Sequence, residues 1–488
     1  MQKNKNSRKN LLSVVISLSF IFFFDLIPAP TGLSKLSMQI LGIFVGTVIL
    51  WLTVSIDWPS ILCIAAIGMT GLMSMNSILS SFFGNSTVLF LVFSYMLAFA
   101  LGESGILKRF AVWFISRRIT NNHPWILVLM LLIAAMLIGL VIIPSTMILI
   151  FIPIMTAMFR QCKLKEGDQL PEAIMLMVAF TGSIAQGMTP IGHAHPVIAM
   201  SILSEITGYE IPYAKFMFFA IPNGIIVFIL MILFFRFIVK IDPEPFRNVE
   251  SKSIQKELGP MTKQEKIVLS VFLLVVFCWL APSILKPFSS DAATFFNKLG
   301  NVYPPLVGVI LLCIINVEGK PLCNFKEATS RGIPWGIVFL VGATVVMSSA
   351  LTNEDVGISA WVGEIISTIA ENLSPFVFSL FIIAAAVILT NFSSNAVTAT
   401  LITSISIPIA LIMPDKINPY AMAAVIGSAV NYAFATPLAT AVVAIAAGTG
   451  WVNSKNMAKY GAVVGAIAIL VFALIGYPLA NNILPYSA

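Results

Sequence analysis

Charge is what this sequence has least of. Asp, Glu, Lys and Arg together make up 10% of its 488 residues, against 58% hydrophobic side chains and a mean hydropathy of +0.97. A soluble fold carries roughly a quarter of its residues charged, so this balance excludes a water-facing surface and defines a polytopic membrane protein. Cysteine is scarce as well. Cys63, Cys162, Cys278, Cys313 and Cys323 show no C-x-x-C spacing, which argues against both a disulfide framework and a metal cluster. There is no P-loop, no G-x-S-x-G and no H-E-x-x-H. ATP-driven transport by this chain alone and hydrolysis of those types lose their usual machinery, so the chain does not read as an enzyme. The formal charge of +7 comes from Lys and Arg gathered between apolar runs. That distribution sets membrane topology and does not mark a nucleic-acid surface.

What the chain has in plenty is apolar sequence in helix-length runs. A helix crosses a bilayer in roughly 20 residues, and spans are predicted near 11–28, 37–54, 58–76 and 86–103. The opening "MQKNKNSRKN" is basic and the first run lacks a convincing cleavage site, so it reads as an uncleaved span with the N-terminus cytoplasmic. Lys108, Arg109, Arg117 and Arg118 then flank an interfacial segment on the same side. The next run, 124–160, has basic flanks at both ends and Pro144, Ser145 and Thr146 at its middle. If it enters and leaves on one side, those residues are the tip of a re-entrant hairpin, where backbone leaves the helix and needs polar company.

The second half repeats the first. "PWILVLMLLIAAMLIGLVIIPSTMILIFIPI" from Pro124 pairs with "PFVFSLFIIAAAVILTNFSSNAVTATLITSISIPIA" from Pro375, and the blocks opened by Pro171 and Pro419 each contain a Thr-Pro, at Thr189-Pro190 and Thr436-Pro437. The second hairpin has acidic flanks, Glu354, Asp355, Glu364, Glu371 and Asp415, so it is expected to open outward. The predicted architecture is all-α, with about 11 transmembrane helices and two re-entrant hairpins in an inverted repeat. Its parts are a tail and first span at 1–36, a first repeat at 37–239 with its hairpin at 124–160, a cytoplasmic linker at 240–266, and a second repeat at 267–488 with its hairpin at 374–414. The C-terminus is expected outside the cell membrane.

Four polar breaks stand in repeat-related places: "PST" at 144–146, "SSNA" at 393–396, "GMTPIGHAHP" at 187–196 and "AFATPLATA" at 433–441. Half-helices stopping at mid-membrane offer N–H groups and positive dipole ends to carboxylates, while free carbonyls and hydroxyls suit sodium. None of the four contains Arg, Lys, Asp or Glu. The relay of intramembrane acids expected of many proton pumps is therefore missing. Asn395 offers donor and acceptor together. His193 and His195, two of three histidines, lack further ligands for a metal. They either bind a carboxylate, titrate during transport, or satisfy local backbone.

This arrangement resembles the divalent anion/sodium symporter family, the carboxylate carriers related to mammalian citrate and dicarboxylate cotransporters, over residues 37 to 483. Each hairpin tip of that family carries a Ser-Asn-Thr motif, and each broken span a Gly/Ala-Thr-Pro-Pro-like loop. Here the first tip is Pro144-Ser145-Thr146, with Ser145 where the asparagine would stand, and the second is Ser394-Asn395-Ala396. In "IGHAHP" Gly192 is kept and His193 replaces the threonine; "PLATAVV" keeps Ala439 and Thr440 without the prolines. The resemblance implies substrate contacts at Ser145, Thr146, His193, Ser394, Asn395 and Thr440. Sodium, where it is the coupling ion, would sit near Ser145, Gly192, Asn395 and Ala439. It also implies a homodimer working by an elevator motion, with no organic cofactor.

The expected function is secondary active transport of small dicarboxylates of the succinate, malate or 2-oxoglutarate type. The altered first tip favours carboxylate exchange. The alternatives are a sodium-coupled symporter of di- or tricarboxylates or sulfate and, more distantly, a cation/proton antiporter.

Overall fold

The computed structural model describes the chain apart from residues 1, 121, 192, 249–258, 359–360, 362–373, 414–415, 437–439 and 487–488. Among the described residues the protein is helical throughout, except for one two-residue hairpin pairing Asn316–Val317 with Lys320–Pro321. Eight helices are long and apolar enough to cross a bilayer, or nine if the bent pair Ser290–Leu299 and Tyr303–Ile314 forms one span. The run predicted as a single span at 58–76 is instead Trp58–Met69 followed by Met75–Phe83. Gly71, at φ +74°, lies between them in the left-handed conformation that ends helices. Twelve residues rise only about 18 Å, short of a bilayer core, so hydropathy alone overstated that segment.

The helices form two groups. One is central, and its axis is Gln169–Met188, whose apolar window is 94% buried. Pro124–Gly139 and Pro144–Gln161 pack on it, as does Ala441–Gly448. Ala194–Thr207 packs against Pro419–Ala429 and Asn395–Ile412. Small residues make these approaches possible. A Cβ on Gly182 would run into Met147 and reach Pro144, and one on Gly427 would stand 2.9 Å from the Pro196 Cα. From the same helix, Ser428 donates to the Gly187 carbonyl of Gln169–Met188 at 2.7 Å. With no hydrophobic drive between helices in lipid, close packing of this kind and buried hydrogen bonds hold them together.

The second group packs beside the first, chiefly through Trp335–Thr352 against Ala194–Thr207, and includes Ser86–Glu103, Lys263–Leu285, Tyr303–Ile314 and Trp335–Thr352. Tyr303–Ile314 lies against both Ser86–Glu103 and Lys263–Leu285, and Trp335–Thr352 packs on Trp58–Met69. The predicted interfacial segment is the short helix Ile106–Ile115. Arg109 fixes it to the start of the 263–285 helix, with its Nε 3.0 Å from Glu265 Oε1 and Nη1 donating to the Gly259 carbonyl at 2.7 Å. Arg117 stacks over Trp113 at 3.3 Å from the ring centroid. Arg109 thus lies beside the described end of the linker, and the two segments meet on one face of the protein.

Glu172 joins the halves of the chain. It sits in the first turn of Gln169–Met188 and is buried. Its carboxylate accepts from the Asn453 N–H at 2.8 Å and from Asn456 Nδ2 at 2.8 Å, both at the N-terminus of Ser454–Val471. A buried carboxylate is tolerable only when hydrogen-bonded in this way.

Candidate functional site

Each of the four polar breaks becomes a helix start. Pro144, Ala194, Asn395 and Ala441 are the first residues of four helices, preceded by Ile143, His193, Ser394 and Thr440 as N-caps. Proline at Pro144 suits that position, since the first N–H of a helix has no intrahelical partner in any case. The question of why apolar sequence is interrupted there has a local answer: the interruption is where one helix ends and the next begins.

Those four starts meet around one cavity of about 380 Å³, within the usual ~300–1,000 Å³ of small-molecule sites. Its walls include Ser145, Gln186, His195, Ser394, Asn395 and Thr440. The opposite wall comes from the second group, through Tyr95, Pro334 and Ile337. No lysine, arginine or carboxylate lines it among the described residues. Each helix N-terminus carries about half a positive charge, so four of them sum to roughly two. The cavity thus offers a diffuse field matched to a dianion, without a fixed cation.

The polar groups are arranged to keep hydrogen-bonding capacity free. The Thr390 hydroxyl lies 2.7 Å from both Asn395 Oδ1 and the Val430 carbonyl. The hydroxyl has one proton to give, so it either donates to the Asn395 amide oxygen or donates to the Val430 carbonyl and accepts from the amide; in both cases one end of the Asn395 amide is engaged and the other is left for a ligand. Ser394 makes no side-chain capping bond to its own helix, whereas the Thr440 hydroxyl accepts from the Val443 N–H at 3.4 Å.

Of the residues singled out from sequence, the structure brings Ser145, Ser394, Asn395 and Thr440 together. Thr146 is exposed and is not among the cavity-lining residues. Successive helical residues differ by about 100° in direction, and Thr146 turns away from the wall that Pro144 and Ser145 form. His193 is also outside the cavity. It is 1% exposed, and its Nε2 donates to the Gly139 carbonyl at 2.8 Å, one of the last carbonyls of Pro124–Gly139. Of the roles left open for it, backbone satisfaction is the one the structure adopts. Gly192 and Ala439 lie outside the described residues.

Three contributors escaped the sequence reading. A fourth, His195, was raised there with the same open roles as His193 and takes the place in the wall expected of His193. Gln186 and Tyr95 come from helices with no polar break of their own, and only the isolated amide of Gln186 in an apolar helix gave a signal. Asn391 lies behind the cavity: its Oδ1 accepts from the Phe434 and Ala435 N–H groups at 2.8 and 2.7 Å. It ties the second broken span to the end of Pro375–Thr390, as His193 ties the first to the end of Pro124–Gly139.

A polytopic helical membrane protein with a buried, anion-compatible cavity built on broken helices is the class this fold and site define. The family described as the sodium:sulfate symporter transmembrane region matches residues 8–482, and the chain belongs to this family of transporters. Relatives include the sodium-dependent dicarboxylate transporter SdcS of Staphylococcus saprophyticus, 27% identical over 93% of this chain and 88% of that protein. SdcS of Staphylococcus aureus is 22% identical over 96% of this chain and 90% of its own length. Among solved structures, the YdaH transporter of Alcanivorax borkumensis matches with a TM-score of 0.55 at 12% identity, covering 82% of this chain and 86% of that one. That last likeness is one of fold.

Proposed function

We propose that this protein is a secondary active transporter of small dicarboxylates and that sodium is its coupling ion. The observation that carries the reading is the convergence of four helix N-termini on one cavity that, among the described residues, no Lys or Arg lines. Such a site holds a dianion by N–H groups, hydroxyls and amides, and gives it up again without breaking a bidentate ion pair. The relatives named for sodium-dependent dicarboxylate transport support both substrate class and coupling. They outweigh the inference of exchange drawn from Ser145, because hydroxyl and backbone carbonyl oxygens are adequate ligands for a hard cation.

The position of the cavity supports an elevator motion. Its ligand-binding wall belongs to the central helices and its opposite wall, Tyr95, Pro334 and Ile337, to those of the second group. Movement of the first group past the second would carry the ligand with it. The paired clamps at His193 and Asn391 support the inverted repeat with hairpins at 124–160 and 374–414. Basic flanks favour a cytoplasmic N-terminus, and assembly as a homodimer rests on the resemblance alone.

Uptake of radiolabelled succinate into liposomes containing the purified protein tests this, with sodium or choline outside and with or without internal succinate. Sodium-dependent uptake into empty liposomes is expected. Uptake that ignores sodium and needs internal carboxylate would establish exchange, and no carboxylate uptake under any condition would overturn the substrate class.

A further inference from the structure

His195 is unlike every other polar group in the cavity wall, and its chemistry is fixed by its neighbour. Its Nδ1 lies 2.7 Å from Asn431 Oδ1. The amide of Asn431 cannot be turned around, because its Nδ2 donates to the Gly427 and Ser428 carbonyls at 2.8 and 3.1 Å. Asn431 therefore presents an acceptor, and His195 must carry its proton on Nδ1. Asn431 is fully buried, so this pairing has no water to exchange with.

The remaining ring nitrogen, Nε2, is then a bare acceptor. It has no hydrogen-bond partner among the described residues, and the ring lines the cavity while 91% buried. The imidazole also sits in the first turn of Ala194–Thr207, with three other helix N-termini around the same space. An acceptor facing a site otherwise rich in donors does nothing for a carboxylate oxygen, whose lone pairs it repels. It favours a ligand that brings a donor of its own.

Resting on the dicarboxylate reading above, the geometry points to His195 as a specificity-determining residue that accepts a hydrogen bond from a hydroxyl on the ligand, so that the preferred substrate is a hydroxylated dicarboxylate. The two carboxylates are held by helix N-termini, Ser145, Ser394 and Asn395. The hydroxyl between them meets Nε2. Because the ring is held in place by Asn431, the acceptor has one direction, and only one enantiomer of a 2-hydroxy acid presents its hydroxyl to it.

The test compares succinate with the two enantiomers of malate as competitors of labelled succinate uptake, and as ligands in thermal-shift titrations of the purified protein. Wild type is expected to prefer one malate enantiomer over succinate by about five- to tenfold, the worth of one net hydrogen bond, and to discriminate between enantiomers. In His195→Phe, which keeps a ring and removes both nitrogens, the ratio of malate to succinate affinity and the ratio between the enantiomers should both fall to about one, whatever the new ring does to succinate binding itself. His195→Leu serves in the same way if the phenylalanine is too large, and retained succinate binding reports that either variant is folded. Equal binding of succinate and malate by wild type, or a hydroxyl preference that survives in both variants, overturns the role of His195 and leaves the dicarboxylate reading standing. Failure of wild type to bind any of the three removes both.

Discussion

Replacing Ser394 by aspartate separates the anion field from every other property of the cavity. Ser394 is the N-cap of Asn395–Ile412, is half-buried, and makes no side-chain bond to its own helix. An aspartate there gains an unused capping position and interacts with the dipole, together about 0.5–1 kcal/mol in favour of the fold. For a ligand the effect is the reverse. A fixed negative charge about 6 Å from a substrate carboxylate costs roughly 3 kcal/mol at an effective dielectric constant near 20, which is roughly a hundredfold in affinity. Ser394→Asp is therefore expected to melt no lower than wild type, to lose the succinate-dependent thermal shift, and to lose uptake. Ser394→Ala, which removes one donor and adds no charge, should lose only several-fold. Succinate affinity within tenfold of wild type in the aspartate variant would refute the argument that converging N-termini hold the substrate. A collapse in melting temperature would refute the account of the free cap.

Two further substitutions follow from the placement of neighbouring groups. Ser145→Ala should reduce uptake several-fold through the lost hydroxyl, while Thr146→Ala should change it by less than twofold, since Thr146 is exposed outside the cavity; parallel uptake assays on matched protein amounts decide it. Glu172→Ala leaves the Asn453 N–H and the Asn456 amide without their partner, and a loss of about 1–3 kcal/mol should appear as a lower melting temperature in detergent, with substrate affinity retained in the protein that remains folded.

The breaks in the apolar runs were the most legible part of this chain. Proline and small hydroxyls inside 124–160 and 374–414 have few uses in a bilayer, and three of the four breaks delivered a side chain to the cavity at the residue the motif suggested: Ser145, Ser394 with Asn395, and Thr440. The fourth gave its neighbour. His193 and His195 are two residues apart across an N-cap, where the chain turns from extended backbone at φ −127°, ψ 124° into helix. Spacing reveals that they face differently but not which faces inward; the match to a family threonine points to His193, and it is His195 that lines the cavity. Gln186 and Tyr95 were hidden for a different reason. A pocket wall made by a neighbouring helix leaves no mark on local periodicity, because a polar residue facing a cavity and one facing a helix partner obey the same spacing. The segment drawn as one span at 58–76 was less legible, because hydropathy stays high across the turn between Trp58–Met69 and Met75–Phe83.

The charge balance of the cavity also bears on which dianion it takes. Sulfate and succinate each carry two negative charges, so a field of roughly two positive half-helix pairs does not by itself choose between them. Shape does. The donors are spread over four helix starts drawn from both halves of the chain, around a space of about 380 Å³. A dicarboxylate places one anionic group at each end and can engage separate helix starts, whereas sulfate concentrates its charge on one centre and leaves distant N–H groups to water. The apolar wall of half-buried Ile143 and Ile337 with buried Val442 favours the same choice, since methylene groups gain from covering it and sulfate has none. Excess sulfate should therefore compete with labelled succinate at least tenfold less well than unlabelled succinate does. Equal competition would mean that a single pair of helix N-termini does the binding, and that the remaining two serve only to shape the cavity.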